Sequence, residues 1–133
     1  GQKFKDMDSR ILPSFVEMAK TGEIITHEDG NQIRDFIHVD DLVDAHLVVA
    51  MSPFSNDRIY NVGSGVPTKV IDVANYIASK FSATIKTSGK KRINTARNQF
   101  MNIDKIKTLG WMPKKTWKDA VDDYIKSEGL NLR

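Results

Sequence analysis

Several groups of residues in this 133-residue chain have the types and spacing that chemistry uses. Tyr76 and Lys80 stand one helical turn apart. A lysine so placed lowers the pKa of a tyrosine, and the phenol can then exchange a proton with a substrate hydroxyl. The pair falls in a helix pattern carried by Val70, Val73, Ala74, Ile77, Ala78 and Phe81, and positions on an ordinary amphipathic helix account for both residues. Gly63-Ser64-Gly65, after a strand pattern and before a helix, could bring the backbone against a pyrophosphate. Thr68 stands where the third glycine of that fingerprint belongs, Pro67 precedes it, and no acid closes a second strand to hold a ribose. A simple strand-to-helix turn is the better account, so no cofactor site is expected on this chain. His27, His38 and His46 have no Cys or Glu at ligand spacing, and no metal site is expected. No Ser-His-Asp or nucleophile-elbow arrangement is present.

Charge supplies another feature. The net charge is +3, but Lys86 to Lys118 holds Lys86, Lys90, Lys91, Arg92, Arg97, Lys105, Lys107, Lys114, Lys115 and Lys118 against one acid, Asp104. Such a stretch attracts anions: nucleic acid, a phosphorylated metabolite, or solvent alone. A nucleic-acid module would interleave aromatics with the basic residues. Here they are Phe100, Trp111 and Trp117, and Trp111, between Leu109-Gly110 and Met112-Pro113, reads as packing at a helix end. Nucleic acid is therefore the less favoured partner.

The elements that must position these residues follow from periodicity. Ser9 or Asp8 could cap a helix carrying Ile11, Leu12, Phe15, Val16 and Ala19, with Gly22 as its stop. A short strand at Ile24 to His27 and the Asp29-Gly30 turn precede a second strand at Ile33 to Val39, where His38 would be a half-buried strand residue. Asp40 or Asp41 is placed to cap an apolar helix from Leu42 to Met51, with His46 on its surface. A strand at Arg58 to Val62, a helix at Val70 to Phe81, a strand at Thr84 to Thr87 and a short helix at Ile103 to Leu109 follow. Thr116 and Asp119 have capping-box spacing for a last helix, Trp117 to Ser127. The interleaving predicts an α/β or mixed α+β fold with short strands and about five helices. The helix from Leu42 and the strand from Arg58 are apolar enough to expect more protein against them.

The hydrophobic fraction of 40% and charged fraction of 28% are those of an ordinary globular chain of one domain. The lack of cysteine excludes disulfides and thiolate metal sites and fits a reducing compartment. The longest apolar run, near Leu47 to Met51, is too short to cross a bilayer, and no basic-then-apolar signal pattern opens the chain. The cytoplasm is the expected location.

Five segments in order resemble one enzyme family. Asp8-Ser9-Arg10-Ile11-Leu12-Pro13-Ser14-Phe15 is similar to the stretch after its Tyr-Gly-Pro motif, and Glu23 to Gly30 to its Leu-Thr-Val-Tyr-Gly-Asp-Gly turn. Gln32 to Asp41, with Arg34-Asp35-Phe36-Ile37-His38-Val39-Asp40-Asp41, is the strongest match. Ile59 to Gly65 follows, and Asn102-Ile103-Asp104-Lys105 with Leu109-Gly110-Trp111-Met112-Pro113 resembles the closing pair. The family is the extended short-chain dehydrogenase/reductases that act on nucleotide-diphosphate sugars, the NAD-dependent epimerases and dehydratases typified by UDP-glucose 4-epimerase.

The resemblance implies a carboxy-terminal, substrate-binding lobe, a single domain over residues 1–133, with the Gly-rich NAD motif and catalytic Tyr/Lys pair on a missing amino-terminal Rossmann half. It implies that NAD binds that half, that the substrate is a nucleotide-diphosphate sugar (a UDP-sugar in the first instance), that the parent is a homodimer, and that this chain alone is inactive. By the same resemblance Arg34 reaches the diphosphate, Arg92 touches phosphate or ribose with Arg97 as a second candidate, His27 lies beside the base and Asn61 bonds the nucleoside. Asp35 and Asp40 would be structural, fixing the strand end and helix cap. There are departures: Thr95 replaces a ribose-gripping aspartate, Glu28 replaces the glycine of the turn, and Asn102 replaces the closing aspartate. Readings that stay open are a dTDP-glucose 4,6-dehydratase-like or UDP-glucuronate decarboxylase-like parent, a non-catalytic nucleotide-binding module, and a basic nucleic-acid-binding domain.

Overall fold

The structure, a computed structural model, describes residues 10–55, 59–90 and 96–130. The elements run α1 (Ile11–Lys20), β1 (Glu23–Thr26), β2 (Ile33–Arg34), α2 (Val39–Met51), β3 (Thr68–Lys69), α3 (Val70–Phe81), β4 (Thr84–Thr87), α4 (Asp104–Lys107) and α5 (Trp117–Ser127). This is the mixed α/β pattern with five helices that periodicity predicts. Two compact units divide the chain, one of residues 1–32, 69–96 and 125–133, the other of 33–68 and 97–124.

In the first unit β1 and β4 pair in parallel, Glu23 opposite Thr84 through Thr26 opposite Thr87. Parallel strands need a crossover, and α3 supplies it. Its Val70, Val73, Ala74, Ile77 and Ala78 fall on one face and are buried with Phe15, Val16 and Ala19 of α1 and Ile24 of β1. Each valine, isoleucine or phenylalanine among them contributes about 1.5–3 kcal/mol on burial. Gly22, at φ +92°, ends α1 as expected, and its carbonyl accepts from Thr84 N at 2.9 Å. The Asp29-Gly30 turn also serves α3: Ile71 N donates to Gly30 O at 2.8 Å and Val70 N to Gln32 O at 3.0 Å, so backbone carbonyls take amides a helix start leaves open. The residue capping α1 is Arg10, with no side-chain cap bond, whereas Asp8 and Ser9, the expected caps, lie outside the described residues.

The second unit packs around Ala45, Ile103, Ile106 and Trp111, with Ile37, Val48, Val49, Tyr60 and Val62 against them. β2 pairs with β3 where the chain passes out of this unit, and Ile33 forms a parallel bridge with Asn98. Three expectations are corrected here. The strand expected to Val39 ends at Arg34. Beyond it the Asp35 carboxylate, not a backbone ladder, ties neighbouring segments together: Ser64 N and Oγ donate to Oδ1, Gly65 N and Met101 N to Oδ2. The cap of α2 is His38, neither Asp40 nor Asp41: its Nδ1 accepts from Asp40 N at 3.1 Å, and the ring is buried, not half-buried in a strand. Residues 59–62 form no ladder, although the alternation that suggested a strand is real: Tyr60 and Val62 face the core while Ile59 is 78% exposed. Ile59 O is instead taken by Lys105 Nζ at 2.8 Å. The predicted α5 cap is present in full, with Thr116 N donating to Asp119 Oδ2 at 2.7 Å and Asp119 N to Thr116 Oγ1 at 3.3 Å.

Candidate functional site

Arg34 leaves β2 half-buried, and its guanidinium is oriented by backbone. Nη1 donates to Ile33 O at 2.7 Å and to Arg97 O at 2.9 Å. No carboxylate pairs with Arg34 among the described residues. The carbonyl dipoles aim the group without neutralising it, leaving Nε and Nη2, the side-on fork that takes an anion bidentately. Arg97 is therefore brought to Arg34, but through its main-chain oxygen. Asn61 lies exposed in the same unit, in the unladdered segment. His27 belongs to the other unit, exposed in a turn where Glu28 N donates to Lys90 O. Arg92 lies outside the described residues.

The turn at Gly63-Ser64-Gly65 offers no cradle for a pyrophosphate. Its amides at Ser64 and Gly65 both donate to Asp35, so an incoming phosphate would meet a carboxylate in place of free N–H groups. The residues of this loop do not fit a dinucleotide. The Tyr76–Lys80 pair is likewise not arranged for proton exchange: the ammonium lies 4.7 Å from the centre of the ring, over its face.

Much of the basic stretch is spent internally. Lys86 pairs with Glu23, Lys107 with Asp104, and Lys105 lies 4.9 Å over the Tyr60 ring. Lys114 Nζ meets Asp44 at 2.9 Å, and Lys115 Nζ meets Asp40 at 2.8 Å and Asp123 at 3.2 Å. Hydrogen bonds to Lys115 hold the Asp40 and Asp123 carboxyls below the ordinary aspartate range, and Lys115 is raised in turn by Asp40 and Asp123. The hydroxyl and amide of Thr116 lower Asp119. Beneath these pairs Asp41, 2% exposed, accepts from Lys114 N at 3.1 Å and Lys115 N at 2.9 Å. Sequence reasoning missed this clamp; aspartates at 40, 41 and 44 opposite a Pro-Lys-Lys run were its one signal. It missed also a cleft of about 440 Å³ lined by Phe36, Ser64, Val66 and residues 113–118, which includes none of the expected site residues.

The fold has counterparts in known proteins. The model of the NAD dependent epimerase/dehydratase family matches residues 1–63. A trifunctional UDP-glucose 4,6-dehydratase/UDP-4-keto-6-deoxy-D-glucose 3,5-epimerase/UDP-4-keto-L-rhamnose-reductase of Arabidopsis thaliana is 30% identical over 117 residues, 84% of this chain and 17% of that protein. A putative GDP-L-fucose synthase of the same plant is 32% identical over 129 residues, 91% of this chain and 39% of that protein. The structure of a UDP-glucose 4-epimerase of Thermotoga maritima with UDP-glucose superposes with a TM-score of 0.75 at 24% identity, over 90% of this chain and 40% of that one. The chain belongs to the NAD-dependent epimerase/dehydratase family, the extended short-chain dehydrogenase/reductases. It spans less than half the length of each of these proteins. Among the described residues no helix is long and apolar enough to cross a membrane.

Proposed function

We propose that this chain is the nucleotide-diphosphate-sugar-binding lobe of an NAD-dependent epimerase or dehydratase of UDP-glucose 4-epimerase type. The observation that carries the reading is Arg34: a half-buried guanidinium aimed by two carbonyl oxygens, with no carboxylate partner among the described residues. A diphosphate is the dianion that such a fork takes, and the relatives named above act on UDP- and GDP-linked sugars. Arg97 holds Arg34 in place through its carbonyl oxygen, and Asn61, exposed in the same unit, contacts the nucleoside. The lobe positions the sugar; the hydride step belongs to NAD on the Rossmann half of the parent.

Two surfaces of the second unit support a further half packed against it. Val39, Val43, Leu47 and Met51 form a stripe four residues apart on α2 and are 64%, 52%, 53% and 79% exposed. Residues 59–62 alternate like a strand but pair with none described. In this reading the chain alone turns over no substrate, and reduction of NAD by it would count against the assignment.

The test is calorimetric titration with UDP, dTDP, GDP and CDP, beside Arg34→Ala. One nucleotide should bind, and the variant should lose about 1.5–3 kcal/mol, the worth of a charge-assisted bond, or tenfold and more in affinity. A folded chain that binds none, or binds equally well as Arg34→Ala, refutes the reading.

A further inference from the structure

Arg34 and Asp35 are adjacent, yet they do not pair. The two Asp35 oxygens accept from four donors, Ser64 N and Oγ at 2.6 Å each and Gly65 N and Met101 N at 3.0 Å each, and have nothing left for a guanidinium. We propose that Asp35 is the positioning residue for Arg34, acting through the segment 97–101; this rests on the reading of Arg34 as the diphosphate ligand.

That segment runs beside β2 and is fastened at both ends. At its start Arg97 O accepts from Ile33 N at 3.1 Å and from Arg34 Nη1 at 2.9 Å. In its middle Gln99 N donates to Ile33 O at 3.0 Å, the oxygen that also accepts from Arg34 Nη1 at 2.7 Å. At its end Met101 N donates to Asp35. The carbonyl that aims the guanidinium thus belongs to a strap held down by the next residue of the chain. Gly63 shows how closely loop and strap are drawn onto the carboxylate: a Cβ there would lie 2.7 Å from Asp35 Oδ2 and 2.8 Å from Met101 Cβ. Saturating Asp35 has a second effect. A carboxylate saturated by four donors has no lone pair left to compete for a cation, so Asp35 leaves the Arg34 fork to an incoming anion. Asp35 therefore both fixes the strap and withholds its charge from the site.

The experiment follows the Arg34 Nε–Hε group by ¹⁵N relaxation in the 133-residue chain, in wild type, Asp35→Asn and Met101→Pro. The asparagine turns an NH₂ toward amide donors; the proline deletes one donor at an exposed residue and leaves the core alone. The wild-type side chain should be rigid, with an order parameter of about 0.8, and should fall below about 0.6 in either variant. In parallel, Asp35→Asn should lower UDP affinity at least about tenfold, and Arg34→Ala added to it should cost less than about threefold more, the non-additivity of groups acting as one. A purely structural Asp35 would lower the unfolding midpoint while the two affinity losses multiply, and that result overturns the proposal. So does an Arg34 side chain that stays rigid in Met101→Pro. Should wild type bind no UDP, the reading of Arg34 as ligand fails, while the relaxation data still decide whether Asp35 and the strap position it.

Discussion

Asp41 and Asp44 lie three residues apart on α2 and both reach Lys114, yet their removal should have very different costs. Asp44 meets the Lys114 ammonium at 2.9 Å in an exposed pair. Such pairs contribute about 0–1 kcal/mol, because water screens them and two long side chains must be held. Asp41 is 2% exposed and accepts from the backbone amides of Lys114 and Lys115. Hydrogen bonds to a charged group are worth about 1.5–3 kcal/mol each, and a carboxylate in the first helical turn adds about 0.3–1 kcal/mol. Since the freed amides recover part of this from water, Asp41→Ala should cost about 3 kcal/mol. With an m-value of about 1.5 kcal/mol/M, that is a drop of about 2 M in the urea midpoint. Asp44→Ala should shift it by less than about 0.7 M on the same scale. Asp41→Asn keeps one acceptor and should fall between. Urea unfolding followed by the fluorescence of Trp111 and Trp117 reads all three. Equal shifts for the two alanine variants would refute the distinction between a buried carboxylate on amides and an exposed one on an ammonium.

Gly63→Ala places a methyl against Asp35 and Met101 and should cost about 2 kcal/mol or more, seen as a lowered melting temperature; an unchanged one would show that the loop is not closely packed. Glu28 and Ser82 hold left-handed backbone at φ +51° and +54°, so glycine at either position should raise stability by about 0.5 kcal/mol, strain relief less the added chain entropy, whereas a loss would contradict the conformation. Asp40, Asp119 and Asp123 titrate lower in the folded state than their ordinary value of 3.8, so their stabilisation is present above that pH and is lost as pH falls through the folded values. Acid unfolding curves should therefore steepen below about pH 4 and be blunted in Lys115→Met, and coincident curves would count against the cluster. Leu47→Lys, on the exposed stripe of α2, should alter stability by less than about 0.5 kcal/mol but reduce self-association in sedimentation, and a large loss of stability would mean the face is packed within the chain.

Where local chemistry decided the structure, it was legible in the sequence. The apolar spacing of Val70 to Phe81 and the Thr116–Asp119 box mark α3 and α5 at the residues where they occur. Errors arose where a side chain replaced the backbone as partner. β2 looked longer than it is because Phe36, Ile37 and Val39 continue a strand-like composition, while Asp35 had already taken the amides of neighbouring segments. His38 escaped notice as a cap since two aspartates follow it, although an unprotonated Nδ1 accepts an amide as an oxygen would. Around Arg34, the part played by Arg97 could not be read. Its contribution is a carbonyl oxygen, which every residue possesses and no residue type advertises.

The contrast between Lys115 and Arg34 shows why basic composition is a poor guide to where an anion binds. Lys115 sits between Asp40 and Asp123, so its charge is cancelled at contact distance and its field falls away within a few ångströms. Among the described residues, Arg34 donates to the oxygen ends of peptide dipoles. Dipoles fix direction and stabilise a cation, but they carry no net charge, so the full positive charge remains available to a ligand. Flexible lysines with three rotatable donors suit the first setting and serve as cement between α2 and the segment before α5. A planar guanidinium half-sunk in the fold suits the second, since little freedom is left to lose when a dianion arrives. Among the described cations Arg34 has this second setting, and it lies outside the basic stretch, on the strand that precedes α2.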